Sequence, residues 1–90
     1  MQIRIDPHTL ERAQERGATA QEIEDVIRNG HDVPAKYGRK AREIVFSYQA
    51  ERQGRHYQHK KIQVVFVQDD AVVTTVTVYV FYGYWEDGQS

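Results

Sequence analysis

His8, Arg12 and Arg16 recur at every fourth residue, so on a helix they fall within an arc of roughly 80°. A histidine beside two guanidinium groups suits work on a phosphodiester. A neutral imidazole can remove a proton, and the arginines can hold the anion that results. The same spacing also describes a solvated helix face, with Glu11 and Glu15 interleaved. The chemistry therefore depends on what the rest of the chain brings to this stripe.

A second basic group lies in the middle of the sequence. The net charge is only −1, yet residues 36–61 carry eight basic side chains against Glu43 and Glu51. Residues 1–35 hold four basic and seven acidic side chains, and residues 62–90 hold carboxylates alone. Local field governs attraction of a polyanion, so the middle third can meet phosphates although the whole is mildly acidic. Arg42, Arg55, His59 and Lys61, with Arg16 from the helix, are the candidates to bind phosphates. A metal site is not expected, because His56 and His59 point to opposite faces of a strand and no carboxylate pair is spaced to join them. No cofactor is expected either: the chain has no phosphate-cradling Gly-rich loop, no Ser–His–Asp signature and no zinc motif. A helix-turn-helix reader is excluded by Glu22, Glu24 and Asp25, which would repel a DNA backbone.

The element that must position these residues is Ala71 to Tyr82, in which eleven of twelve residues are β-branched or aromatic. It reads as the central strand of a sheet. Strict alternation places Val72, Thr74, Val76, Val78 and Val80 on one face, and Val73, Thr75, Thr77, Tyr79 and Phe81 on the other. Ahead of it, Gln2 to Ile5 reads as a short strand. Asp6-Pro7 then starts a helix to about Arg16, which Gly17 ends. Thr19 and Glu22 form a capping box for a second helix, striped by Ile23, Val26 and Ile27 and closed by Gly30. Asp32 to Arg42 reads as loop. Glu43–Tyr48 and Tyr57–Val67 read as strands around a polar turn at Gly54, and Asp69-Asp70 turns into the central strand. The expectation is one α+β domain over residues 1–90, with an N-terminal αα-hairpin packed on a three- to four-stranded antiparallel sheet. Ile23, Val26, Ile27, Val76 and Val78 should be buried together.

Cysteine is absent, so neither disulfides nor thiolate ligands are available. The N-terminus lacks the apolar core of a signal peptide and no apolar run approaches membrane-spanning length, which points to a cytoplasmic protein with no membrane role. A domain this small has a marginal core. Tyr84 and Trp85, in a tail that ends polar and frayed, suggest a homodimer or a protein partner.

The motif H-x-x-x-R-x-x-x-R-G (His8 to Gly17), followed by T-x-x-E-I-x-x-V-I-x-x-G (Thr19 to Gly30), resembles a family of small bacterial domains of unknown function. The segment Glu51 to Lys61 and the V-T-V-Y of Val76 to Tyr79 extend the resemblance over most of the chain. Such domains are similar to RelE/ParE-like toxins, including the BrnT branch, and to the wider barnase–EndoU–colicin–RelE group of metal-independent ribonucleases. The resemblance implies a RelE-like fold, an RNA substrate and a small antitoxin as partner. It also implies catalytic roles for His8 and Arg12, with Lys60, Thr77 and Tyr79 as strand-borne candidates. His8 would then take the proton from a ribose 2′-hydroxyl, Arg12, Arg16 and Lys60 would stabilise the phosphorane, and Tyr79 or His59 would assist the leaving oxygen. The alternatives are a non-catalytic RNA- or protein-binding module and a gyrase-directed inhibitor of ParE type.

Overall fold

Asp6 starts the first helix in the way its side chain allows: its carboxylate accepts from the backbone N–H of His8 at 2.9 Å, with Pro7 next in line. In the computed structural model, which describes residues 1–85, seven elements follow one another. They are β1 (Gln2–Arg4), α1 (Pro7–Arg16), α2 (Ala20–Asn29), β2 (His31–Val33), β3 (Lys40–Arg52), β4 (Arg55–Asp69) and β5 (Val72–Gly83). Gly17 leaves α1 with φ 95°, a left-handed value that glycine adopts without strain. A complete capping box between Thr19 and Glu22 opens α2. The polar tail from residue 86 onward, expected to fray, lies outside the described residues.

The expected architecture needs correcting. The sheet has five strands in the order β1-β5-β4-β3-β2, and it is mixed. β1 runs parallel to β5, with Gln2 opposite Val72 and Arg4 opposite Thr74, while the other neighbours are antiparallel. Nor do the helices form the expected αα-hairpin unit: α1 lies against β5, and α2 lies against β3 and β4. Each edge strand is three residues long; β1 falls within the Gln2–Ile5 strand expected from the sequence, whereas β2 overlaps the stretch that reads as loop. The β3–β4 hairpin is also longer than expected. Its pairing continues to Arg52 opposite Arg55, closed by Gln53 and Gly54, both at positive φ. Such a two-residue turn matches the twist of the strands it joins.

The core lies between the helices and one face of the sheet. Ala13 from α1 and Ile23, Val26 and Ile27 from α2 meet Ile62, Val64, Phe66, Val73 and Val78, all fully or almost fully buried. Val76 is not among them. A β-bulge explains why: Val65 faces Thr77 and Phe66 faces Thr75, so Val76 is an extra residue without a partner. One inserted residue exchanges the two faces of a strand. Val73 and Thr75 therefore point to the helices before the bulge, and Val78 and Val80 do so after it.

The bulge also marks where β1 ends and α1 takes over the outer edge of β5. The Asp6 N–H donates to Thr75 Oγ1 at 2.9 Å. Farther along, Thr9 Oγ1 donates to the Val76 carbonyl at 3.4 Å, and Arg16 Nη1 to the Val78 carbonyl at 2.7 Å. Side chains of α1 thus satisfy edge carbonyls that a neighbouring strand would otherwise take. This docking fixes where His8 stands.

Candidate functional site

Because α1 sits over the edge of β5, its first turn reaches residues on the far side of the bulge. His8, Thr9, Arg12, Val76 and Thr77 line one shallow cleft of 180 Å³. His8 and Arg12 are exposed, and Thr9 is buried with its hydroxyl on the strand. Among the described residues no carboxylate forms an ion pair with Arg12. The sequence thus brings His8, Arg12 and Thr77 to one place.

Lys60 is elsewhere. Its ammonium donates to the Gly17 carbonyl at 2.8 Å and pairs with Glu22 at 3.1 Å, under the junction of the two helices. Gly17 follows α1 and His8 opens it, which separates the two sites by about 13 Å along the helix. A single phosphate cannot bridge that distance. Lys60 instead ties the end of α1 to β4, and its burial is matched by two partners. Arg16 and Arg42 are likewise committed to backbone. Arg16 holds the Val78 carbonyl. Arg42 pairs with Asp32 at 2.9 Å and donates to the Ile27 carbonyl, one of the open carbonyls at the end of α2.

Of the remaining candidates, Tyr79, His59 and Lys61 lie on the sheet face that the helices leave open. Tyr79 and Phe81 are each 44% exposed, with their rings stacked at 6.4 Å between centres. Lys61 Nζ lies 5.4 Å from the Phe81 ring and 5.0 Å from the Trp85 ring. His59 Nδ1 accepts from the Trp85 backbone N–H at 3.0 Å, and its ring stands 5.4 Å from that of Tyr84. Trp85 is half-buried rather than exposed, whereas Tyr84 stands 66% open. Arg55 lines a second cleft of 340 Å³ with His56, Tyr57, Gln58, Gly83 and Tyr84, at the far end of β5 from His8. Phe81, Tyr84 and Trp85 were not singled out as site residues. The alternation that pairs Phe81 with Tyr79 on one face was the available signal.

Burial pushes the Tyr82 phenol up, with Arg52 opposing and Tyr48 and Glu22 adding to the rise. Its hydroxyl donates to the Arg16 carbonyl, so this group belongs to the fold rather than to the cleft. Among the described residues no group of three His, Cys, Asp or Glu side chains is placed to hold a metal ion. No helix in them is long and apolar enough to cross a membrane.

Residues 5–80 match DUF4258, a domain of unknown function, and the chain belongs to that family. Neither the curated proteins nor the solved structures gave a match.

Proposed function

We propose that the chain is a toxin-type endoribonuclease that cuts RNA without a metal, at the cleft lined by His8, Arg12 and Thr77. The observation that carries this reading is the meeting of an imidazole, a guanidinium and a hydroxyl in one open cleft across the α1–β5 edge. The resemblance to RelE/BrnT-type toxins points the same way, and with it come a cytoplasmic site of action and a small antitoxin as partner.

His8 removes the proton from a ribose 2′-hydroxyl, and the freed oxygen attacks the adjacent phosphorus. Arg12 and Thr77 hold the non-bridging oxygens as negative charge builds on them. The bond to the 5′-oxygen breaks, and water supplies its proton. The products end in a 2′,3′-cyclic phosphate and a 5′-hydroxyl. Lys60 takes no part in this scheme, because Gly17 and Glu22 hold it. Substituting His8→Ala should lower cleavage at least 100-fold, the scale of a lost general base. It should leave the denaturation midpoint unchanged, since His8 is exposed. Equal cleavage by wild type and His8→Ala would remove His8 from the mechanism.

A second reading, a non-catalytic RNA-binding module, is favoured by the same commitments of Lys60, Arg16 and Arg42. They leave Arg12 as the one arginine or lysine lining the cleft. RNA binding by the wild type without any cyclic-phosphate product would select it.

A further inference from the structure

We infer that the uncovered face of the sheet is a track for single-stranded RNA, on which Tyr79, Phe81 and Tyr84 each stack an unpaired base. The inference rests on the RNA-directed reading above and extends it from the cleft to the rest of the substrate.

The track follows from three features of the outer face. First, its rings are exposed, with Tyr79 and Phe81 stacked along β5 and Tyr84 against His59 beyond the strand's end. Tyr79 and Phe81 are 44% open and Tyr84 is 66% open, and no described element packs over them. From Thr77 to Gly83 the strand spans about 20 Å, with the His8 cleft at one end and the Arg55–Tyr84 cleft at the other. Second, the charge suits a polyanion. Neither cleft is lined by a carboxylate, Arg12 stands at one end, and Lys61 lies beside Phe81 and Trp85. On β3, Glu43 is two strands from β5 and accepts from Gln63 at 3.4 Å, and the exposed Glu51 lies near the far end of that strand. By contrast, the open surface of α2 presents Glu24 and Asp25. Third, the face is not a dry apolar patch of the kind that forms a protein interface core. Lys61, Gln63 and His59 alternate with its rings, opposite Phe81, Tyr79 and Gly83. Rings open to solvent, with cations beside them, take the faces of unpaired bases, which a duplex keeps stacked inside.

This placement also reassigns Tyr79. Its position beside Phe81 uses the ring rather than the hydroxyl, so it positions substrate instead of protonating a leaving oxygen.

The test uses the full chain and a fluorescent 2′-O-methyl oligouridine, which lacks the free hydroxyl needed for cleavage. Tyr79→Ala and Phe81→Ala should each weaken its binding about tenfold, the scale of one lost base stack. Tyr79→Phe, which keeps the ring, should retain the wild-type affinity, and Gln21→Ala on the open surface of α2 should do the same. Tyr84→Ala, at the most open of the three rings, should weaken binding even if a strand variant folds poorly. Circular dichroism of each variant separates lost folding from lost binding. Binding that is indifferent to all three rings, equal competition by an RNA duplex, or no binding at all would overturn the track. Cleavage of unmodified RNA is followed in parallel. Cleavage with ring-independent binding sinks the track alone, and ring-dependent binding without cleavage sinks the proposed catalysis alone.

Discussion

The two faces of this one sheet are made from the same strands and do opposite things. On the helix side, Ile62, Val64, Phe66 and Val78 are closed off from water by α1 and α2. On the other, Lys61, Gln63, Tyr79 and Phe81 remain partly or largely open. The difference is not simply one of hydrophobicity, since the open face holds aromatic rings and the closed face holds a lysine. What separates them is how far each polar group is shut away from water. On the closed side Lys60 is satisfied by Gly17 and Glu22, and no buried side-chain polar atom among the described residues lacks a hydrogen bond. On the open side Gln63 and His59 also have partners, Glu43 and the Trp85 N–H, but they and Lys61 stay in contact with solvent.

The strongest test of this contrast is to truncate one ring on each face. Phe66 is 1% exposed, and Phe66→Ala should cost about 4 kcal/mol, because a large buried ring leaves a cavity. Phe81→Ala should cost under about 1 kcal/mol, since its ring is partly in water already. Urea denaturation of the two variants measures both. Equal losses would mean that the open face is packed in solution.

Next in size is the buried ion pair. Lys60→Met leaves the Glu22 carboxylate without its cation and should cost about 2–3 kcal/mol, somewhat less than a fully buried pair because Glu22 keeps some exposure. Adding Glu22→Gln should recover part of that loss. RNA cleavage, measured well below the melting temperature, should stay near the wild-type rate in the double variant. A loss of cleavage with stability restored would return Lys60 to the chemistry.

That lysine shows where the sequence stopped being informative. The caps were legible: Asp6, Gly17 and the Thr19–Glu22 box are local signals, and each forms as its residue types require. The meeting of His8 and Arg12 was legible too, because i and i+4 on a helix must be neighbours. The partners of the charges were not. Basic residues 36–61 looked like one patch in the sequence. In the fold, Lys60 and Arg42 reach across to Glu22 and Asp32 from the acidic first third. Segregation along the chain became pairing between layers, which no count of charges reveals. The faces of β5 failed for a different reason. A single unpaired residue at Val76 reverses the alternation, and nothing in a run of valines and threonines marks where such a bulge falls. Strand direction was hidden as well, since three residues of β1 cannot show whether they run parallel or antiparallel.

A smaller effect probes the seam between the faces. Tyr82 folds over Gly17, where an added Cβ would collide with its hydroxyl at a backbone angle that already disfavours side chains. Gly17→Ala should therefore cost about 1–3 kcal/mol. Tyr82→Phe removes only the hydrogen bond to Arg16 and should cost about 1 kcal/mol at neutral pH. The phenol is raised in the folded protein, so folding favours its protonated form. That contribution is complete below the ordinary value of 10.0 and is lost as pH rises through the higher folded value. Wild-type stability should fall more steeply than that of Tyr82→Phe in this alkaline range. Parallel curves would show that the phenol is not held by its burial.

The smallest expected change is also the one that decides whether the open face is open. Replacing Tyr79 and Phe81 together by threonine keeps strand propensity while removing both rings. If water or a transient ligand is all that meets this face, stability should move by no more than about 1 kcal/mol. The melting temperature should also be independent of protein concentration. A second copy seated on the face gives a different pattern. The wild type would then melt higher as concentration rises, by mass action, and the threonine variant would lose that dependence. Two scans a hundredfold apart in concentration distinguish the cases. A concentration-dependent midpoint that the variant abolishes would make Tyr79 and Phe81 an interface between copies, and the contrast between the two faces would become one between two buried surfaces.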